Sequence, residues 1–180
     1  RLGGGRLWGG AGVDENAAYV ASIGGGRDLD HAARGSFSVR GGVTHRQREG
    51  FTLPSGAPDP TAVDGLRTNS DMRETDGFGA IRWTGGAGRS FGVLVSGFNA
   101  ERGVPPEEHI SGPRLWRYPY HHRAVAAASA NAGTLPTPFG FATLEGGVGY
   151  NAGRMKIQSF SDRSYVTVVE EERGDERTWT

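Results

Sequence analysis

Between residues 36 and 48 the chain alternates. Phe37, Val39, Gly41 and Val43 are apolar or small, while Ser36, Ser38, Arg40, Thr44, Arg46 and Arg48 between them are polar or charged. Side chains of an extended strand point to opposite faces in turn, so this segment has one greasy face and one face carrying three arginines. Residues 74–83 repeat the pattern, with Gly77, Gly79, Ile81 and Trp83 on one side and Glu74, Asp76 and Arg82 on the other, interrupted by Phe78 and Ala80. Over 143–153, Leu144, Val148, Tyr150 and Ala152 alternate against Thr143, Glu145 and Asn151. A soluble sheet also alternates, but its inner face carries large residues that fill a core. Here much of the second face is Gly, Ala and Ser.

The same reading predicts strands over 6–13, 17–26, 89–102, 123–131 and 139–161. The stretch 123–131 is almost all alanine, and its helix propensity competes with that assignment. Asp14, Glu15 and Asn16 form a tight turn, and residues 27–34, with Asp28, Asp30 and His31, form another. Residues 50–71 are a long loop rich in Pro54, Gly56, Pro58, Pro60 and Gly65, since proline lacks the donor a ladder needs. Gly85, Gly86, Ala87 and Gly88 make a short hairpin connection. A second long loop spans 103–115, a turn falls at 135–138, and a third long polar loop occupies 162–177, into which 165–169 can extend a strand. Short and long connections therefore alternate, the turn at 14–16 excepted, as they do in a barrel threading a membrane. Trp83 and Phe91 flank a short turn, and Phe51, Trp116, Tyr118 and Tyr120 lie on the long-loop side. Two aromatic belts fit a pair of membrane interfaces, and general aromatic enrichment in β-proteins explains each residue singly.

Composition sharpens the picture. With 31 glycines among 180 residues, 36% hydrophobic residues and a mean hydropathy of −0.49, a single thick core is hard to assemble. Transmembrane barrels read as polar overall because only alternate residues face lipid. The alternative is a soluble Gly-rich β-sheet binding module of a secreted or cell-surface protein, with its loops as the recognition surface. Twenty basic and 20 acidic residues give no net charge, which removes a general electrostatic case for nucleic acid. Cysteine is absent, excluding disulfides and thiolate metal sites. No stretch approaches the roughly 18 apolar residues of a spanning helix, so any span is a strand. Both ends look like cuts, and a fragment is expected.

Several residue groups resemble the early barrel strands of TonB-dependent outer-membrane receptors. They are Glu101-Arg102-Gly103-Val104-Pro105-Pro106-Glu107 followed by Pro113-Arg114-Leu115-Trp116-Arg117-Tyr118-Pro119, and Arg67-Thr68-Asn69-Ser70-Asp71 leading into Asp76-Gly77-Phe78. Residues 35–51 and Ser161-Asp162 with Ser164-Tyr165 suit the same family in consistent order. The resemblance implies an all-β, antiparallel up-and-down transmembrane β-barrel of about 22 strands. This chain, residues 1–180, would supply the first seven or eight strands, without the plug domain or the remaining strands. It also implies TonB-dependent uptake of a scarce nutrient across the bacterial outer membrane, most often an iron-siderophore complex and sometimes cobalamin. The partners implied are outer-membrane lipid, the ligand, and the TonB complex acting through the plug.

Within that frame Arg40, Arg46, Arg48, Glu74, Asp76, Arg82 and Glu145 would line a hydrated lumen and meet the plug, with plain solvation as the competing role. Arg114, Trp116, Arg117, Tyr118, Tyr120 and His121, with His122 beside them, mix cations and rings as an anionic, ring-bearing chelate requires. A membrane-interface belt accounts for the same aromatics. His121 and His122 point to opposite faces and make a poor metal pair, even with His109 nearby, and neither acidic run has calcium-loop spacing. Gly85-Gly86-Ala87-Gly88-Arg89-Ser90 lacks the lysine and helix of a phosphate loop. No catalytic triad or carboxylate pair has a supporting context, so neither an enzyme, a metal nor a cofactor is expected.

Overall fold

The computed structural model describes the chain except for Arg1, residues 14–17, 32–33 and 57–58, and the side chains of Leu2 and Gly3. Eight antiparallel strands form one sheet in sequence order: β1 (Leu2–Val13), β2 (Tyr19–His31), β3 (Gly35–Arg48), β4 (Met72–Thr84), β5 (Ser90–Val104), β6 (Trp116–Thr137), β7 (Gly140–Phe160) and β8 (Val168–Trp179). β1 and β8 are its two edges, so the sheet is open. The expected turn at 14–16 lies outside the described residues.

Three expectations about the elements are corrected. Residues 27–31 are strand: Arg27, Asp28, Leu29 and Asp30 pair in straight register with Val39, Ser38, Phe37 and Ser36. Leu29 there joins Phe37, and the two aspartates stand beside serines, so the segment alternates like its neighbour. The stretch 135–137 is also strand, pairing Leu135 with Ala142 and Thr137 with Gly140 before the chain turns. The third polar loop is shorter than expected, since residues 168–179 are β8. Its charge run is tolerated as a strand because β7 supplies counter-charges: Lys156 Nζ lies 2.7 Å from Glu171 Oε2, and Arg154 Nε lies 2.8 Å from Asp175 Oδ1.

The other connections fall where the alternation placed them. The chain leaves β3, β5 and β7 for its long connections at one end of the sheet, and β2, β4 and β6 for its short ones at the other. The turn at 85–89 is made by Ala87 (φ 56°) and Gly88 (φ 77°), whose left-handed backbone reverses the strand.

Register decides which side chains share a face. Residues opposite each other in an antiparallel ladder project to the same side. Leu29, Phe37, Trp83 and Phe91 form one such row, Val39, Ile81, Val93, Ala128 and Val148 the next, and Ile23, Val43, Gly77, Gly97, Ala124 and Ala152 another. Together they make an apolar band seven residues deep on β5, from Phe91 to Gly97, or about 20 Å at ~3.4 Å per residue. Arg27 near its short-turn border and Arg177, opposite Ala152 on the edge strand β8, are charged exceptions. His45, Thr75, Asn99, His122 and Arg154 close the band on the long-loop side.

This band covers no core. Phe37 is 42% exposed, Ile81 50% and Val148 51%, and among the described residues the buried apolar side chains are Ala100 and Pro106, both outside the band. The opposite face carries the charges, and on it Trp8 lies across Gly24 and Gly42. A Cβ on Gly24 would collide with the Trp8 ring. Gly24→Val is therefore expected to destabilise the β1–β2 pairing by about 1–3 kcal/mol, read as faster hydrogen exchange of β1 amides. Gly10→Ala, whose new Cβ meets Ser22 Oγ at an ordinary 3.7 Å, leaves exchange unchanged.

Candidate functional site

The long-loop end is where the chain builds structure beyond the sheet. Asp59 organises the first loop: its carboxylate accepts hydrogen bonds from the backbone N–H groups of Thr61 and Thr68 at 3.1 and 2.8 Å, and from both hydroxyls. Burial opposes its charge, but the bonds from Thr68 and Thr61 outweigh that and hold the carboxyl below the ordinary range. Ser70 closes the loop by accepting from the Phe51 N–H and donating to the Arg67 carbonyl.

Asn69 joins this loop to the sheet. In the left-handed region (φ 53°) it aims Nδ2 at the carbonyls of Val104 and Trp116, at 2.8 and 2.7 Å. The end of β5 and the start of β6 are thus held by one side chain. Gly103 is needed beneath it, because a Cβ there would strike the Asn69 carbonyl and side-chain oxygen. Arg117 completes the junction with a bidentate grip on Asp71 (2.8 and 2.6 Å) and a third bond to Asn69 Oδ1 (2.7 Å). From the third loop, Arg163 grips Glu108 of the second (2.7 and 2.8 Å) and lies 3.8 Å from Asp59 of the first. The Tyr165 hydroxyl is buried beside Asn69 without a hydrogen bond of good geometry, and burial pushes its pKa up. Two arginines therefore tie three loops into one body.

The residues expected to capture ligand divide between the two faces. A bulge at Pro119 sets Tyr118 and His121 on the charged face, where ring centroids lie 6.4 Å apart. Pro119 has no N–H to lose there. Trp116 shares that face through its pairing with Val104, and the Arg114 guanidinium stands 5.0 Å from its ring centroid while pairing with Glu107. Tyr120 faces the other way, stacked on His122 at 5.2 Å with Lys156 at 5.9 Å. Arg117 also lies on that side, with its donors committed to Asp71 and Asn69.

Sequence reasoning missed two members of the charged-face group. Arg102 lies 4.8 Å from the Tyr118 centroid, and Phe98 meets His121 edge-on at 4.9 Å. Both occupy even positions of a predicted strand, so their common side was readable, but their rings' partners depended on the bulge. All seven residues assigned to a lumen wall, Arg40, Arg46, Arg48, Glu74, Asp76, Arg82 and Glu145, fall on this same charged face. Arg46 pairs with Glu74 (3.0 Å) and Asp76 (2.9 Å), and Glu145 accepts from Asn131 at 3.2 Å.

Neither a family model, a curated protein nor a solved structure matches this chain.

The lowered Asp59 pKa carries a sign. A carboxyl whose folded pKa lies below its ordinary 3.8 stabilises the loop above that pH and loses the contribution as pH falls through the folded value. Protection of the Thr61 and Thr68 amides is therefore expected to hold from pH 7 to 5 and to collapse below 3.8, followed by hydrogen exchange; Asp59→Asn should flatten the profile.

Proposed function

We propose that this chain is a section of the wall of an outer-membrane β-barrel, of the TonB-dependent receptor type, serving uptake of a scarce nutrient such as an iron-siderophore complex or cobalamin. One observation carries the reading: every central strand turns its apolar side to the same face, and that face is bare. The strands, of 12 to 22 residues, exceed the ~9–11 that a tilted span needs. Phe37, Trp83 and Phe91 would mark the interface on the short-turn side, and Tyr19 and Tyr120 the other. The charged face would then line water, and the three tied loops would face outward.

In that arrangement Arg102, Arg114, Trp116, Tyr118 and His121 form the ligand-capturing group. Cations held over ring faces on a wet wall suit an anionic chelate with aromatic groups, by charge and by stacking. Arg117 and Tyr120 take other parts, the first as the tie between loops and the second in the interface belt. Energy for release would come from TonB acting through a plug within the barrel.

The absence of cysteine makes the test clean. In lipid vesicles, Ile81→Cys, Val93→Cys and Val148→Cys are expected to resist a water-soluble maleimide and to be reached by a lipid-borne quencher. Arg82→Cys, Ser96→Cys and Ser129→Cys should label readily. Equal labelling of both sets, or a cooperative soluble monomer without detergent, refutes the wall. For the capture group, Trp116→Ala with Arg114→Gln should weaken ferric-siderophore binding by the detergent-solubilised chain about tenfold, measured by tryptophan quenching. Unchanged binding removes the ligand role from these residues.

A further inference from the structure

The apolar face does not keep to one set of ladder rows. On β1 its residues run from Leu7 to Val13, centred on Gly10, and on β7 from Leu144 to Tyr150, centred on Gly147. The ladder row through Gly10 reaches β7 at Gly153, six residues from Gly147 toward the long loops (153 against 147). The central strands fall between: the stretch from Phe37 to Val43 is centred on Arg40, whose row meets β1 at Arg6 and β7 at Gly149. From strand to strand the apolar stretch thus slides toward the short turns. Six residues over the six steps from β1 to β7 is a slide of about 20 Å across about 29 Å of sheet, an angle of about 35°.

Charges on this face obey the same slope. Arg27 lies on β2 at the short-turn corner, with Leu29 beyond it opposite Phe37, and Arg177 lies on β8 at the long-loop corner diagonally across. Above Arg177 the face continues as Asp175, Arg173 and Glu171, joined to Arg154 and Lys156 of β7 by ion pairs. The other two corners are apolar. One is the Ala11–Val13 end of β1. The other is the β6–β7 hairpin, which belongs to a run, residues 124–144, without a charged side chain. It projects past the 85–89 turn, which lies against Gly133, and residues 134–143 have ladder partners only in each other among the described residues. Leu135, Ala142 and Leu144 carry the apolar face down this hairpin, and Phe139 at its tip is fully exposed.

Resting on the wall reading, we propose that the lipid-contact surface of this sheet is an oblique stripe, crossing the strands at about 35°, from Ala11 and Val13 on β1 to Leu135 and Leu144 of the β6–β7 hairpin. Lipid is the occupant because charge is cleared from two opposite corners and gathered at the other two, as a flat apolar slab cutting inclined strands requires. A protein partner imposes no straight border. Strands of membrane barrels incline by ~35–45°, so a slope taken from side-chain chemistry agrees with that geometry. The hairpin then enters the bilayer on the short-turn side, with Phe139 at headgroup level. On the other side the β7–β8 ion pairs stand in water, and Tyr150 and Trp179, ring centroids 4.4 Å apart, mark the border. A sheet inclined in this way closes with a stagger of about one residue per strand.

Depth measurements on the full chain in lipid vesicles test the stripe. A fluorophore on Ala11→Cys or Leu144→Cys is expected to be quenched at least about twofold more by a nitroxide deep in the acyl chains than by one at the headgroup, and on Gly5→Cys or Arg177→Cys the ratio should invert. A bilayer that followed the ladder rows would instead make Gly5→Cys deep and Ala11→Cys and Leu144→Cys shallow, which overturns the oblique crossing and leaves the wall standing. A second readout needs no label: Leu144→Arg should lower the yield of chain folded into vesicles about tenfold, and Gly5→Arg by less than about twofold. Equal losses also overturn the stripe. Absence of lipid quenching at all four sites and at Ile81→Cys removes the wall itself, and the stripe with it.

Discussion

A single ladder of backbone hydrogen bonds running from β1 to β8 governs everything else in this molecule. Side chains alternate with a period of two, so a one-residue slip between any pair of strands would send that strand's apolar set to the charged face. The pairings of β2 through β5 run without a shift, and there Phe37 meets Trp83, Val39 meets Ile81, and Trp83 meets Phe91. With no closed core to enforce the arrangement, cross-strand pairs worth roughly 0.2–1 kcal/mol each must add up along the sheet. Shifts in register occur elsewhere: beside Pro119, between 131 and 134 on β6, between Ser159 and Phe160 on β7, and near the start of β1.

Glycine is the material that makes such a sheet possible. Row after row contains positions without side chains, and the neighbours' larger groups lie down into them: Trp8 over Gly24 and Gly42, Arg40 over Gly26. The wall is thin at those points and its surfaces are shaped by a few large residues. That economy explains why the chain can be long and yet bury almost no apolar side chain. It also leaves the charged face lined by long side chains held by their neighbours, as Arg46 is by Glu74 and Asp76 and Arg123 by Asn151.

At the long-loop end the logic differs. Order there comes from directed polar bonds to Asp59, Asn69 and Asp71, and from two guanidinium groups that each hold a carboxylate by both oxygens. Three connections far apart in the chain become one surface, and the start of β6 is fixed within it. Trp116 and Tyr118 consequently stand on a braced strand rather than on mobile loops.

Most of the strand architecture was legible in the sequence, because alternation, proline-rich breaks and glycine turns are local signals. Phe37, Ile81 and Val148 could be assigned to a common side, and so could all seven charged residues of the opposite one, from their spacing alone. Length at strand ends was less readable: residues 27–31 and 168–179 look like loops by polarity, and only partners such as Ser38, Lys156 and Arg154 make them strands. The candidate site was half legible. Its residue types were apparent, but the division of Trp116, Tyr118 and His121 from Arg117 and Tyr120 arises from a bulge, and the commitment of Arg117 to Asp71 arises from a loop that begins far away in the chain. Local sequence determines which way a side chain points along its own strand; which charges find partners depends on what the register and the loops bring alongside, and that is a property of the assembled sheet.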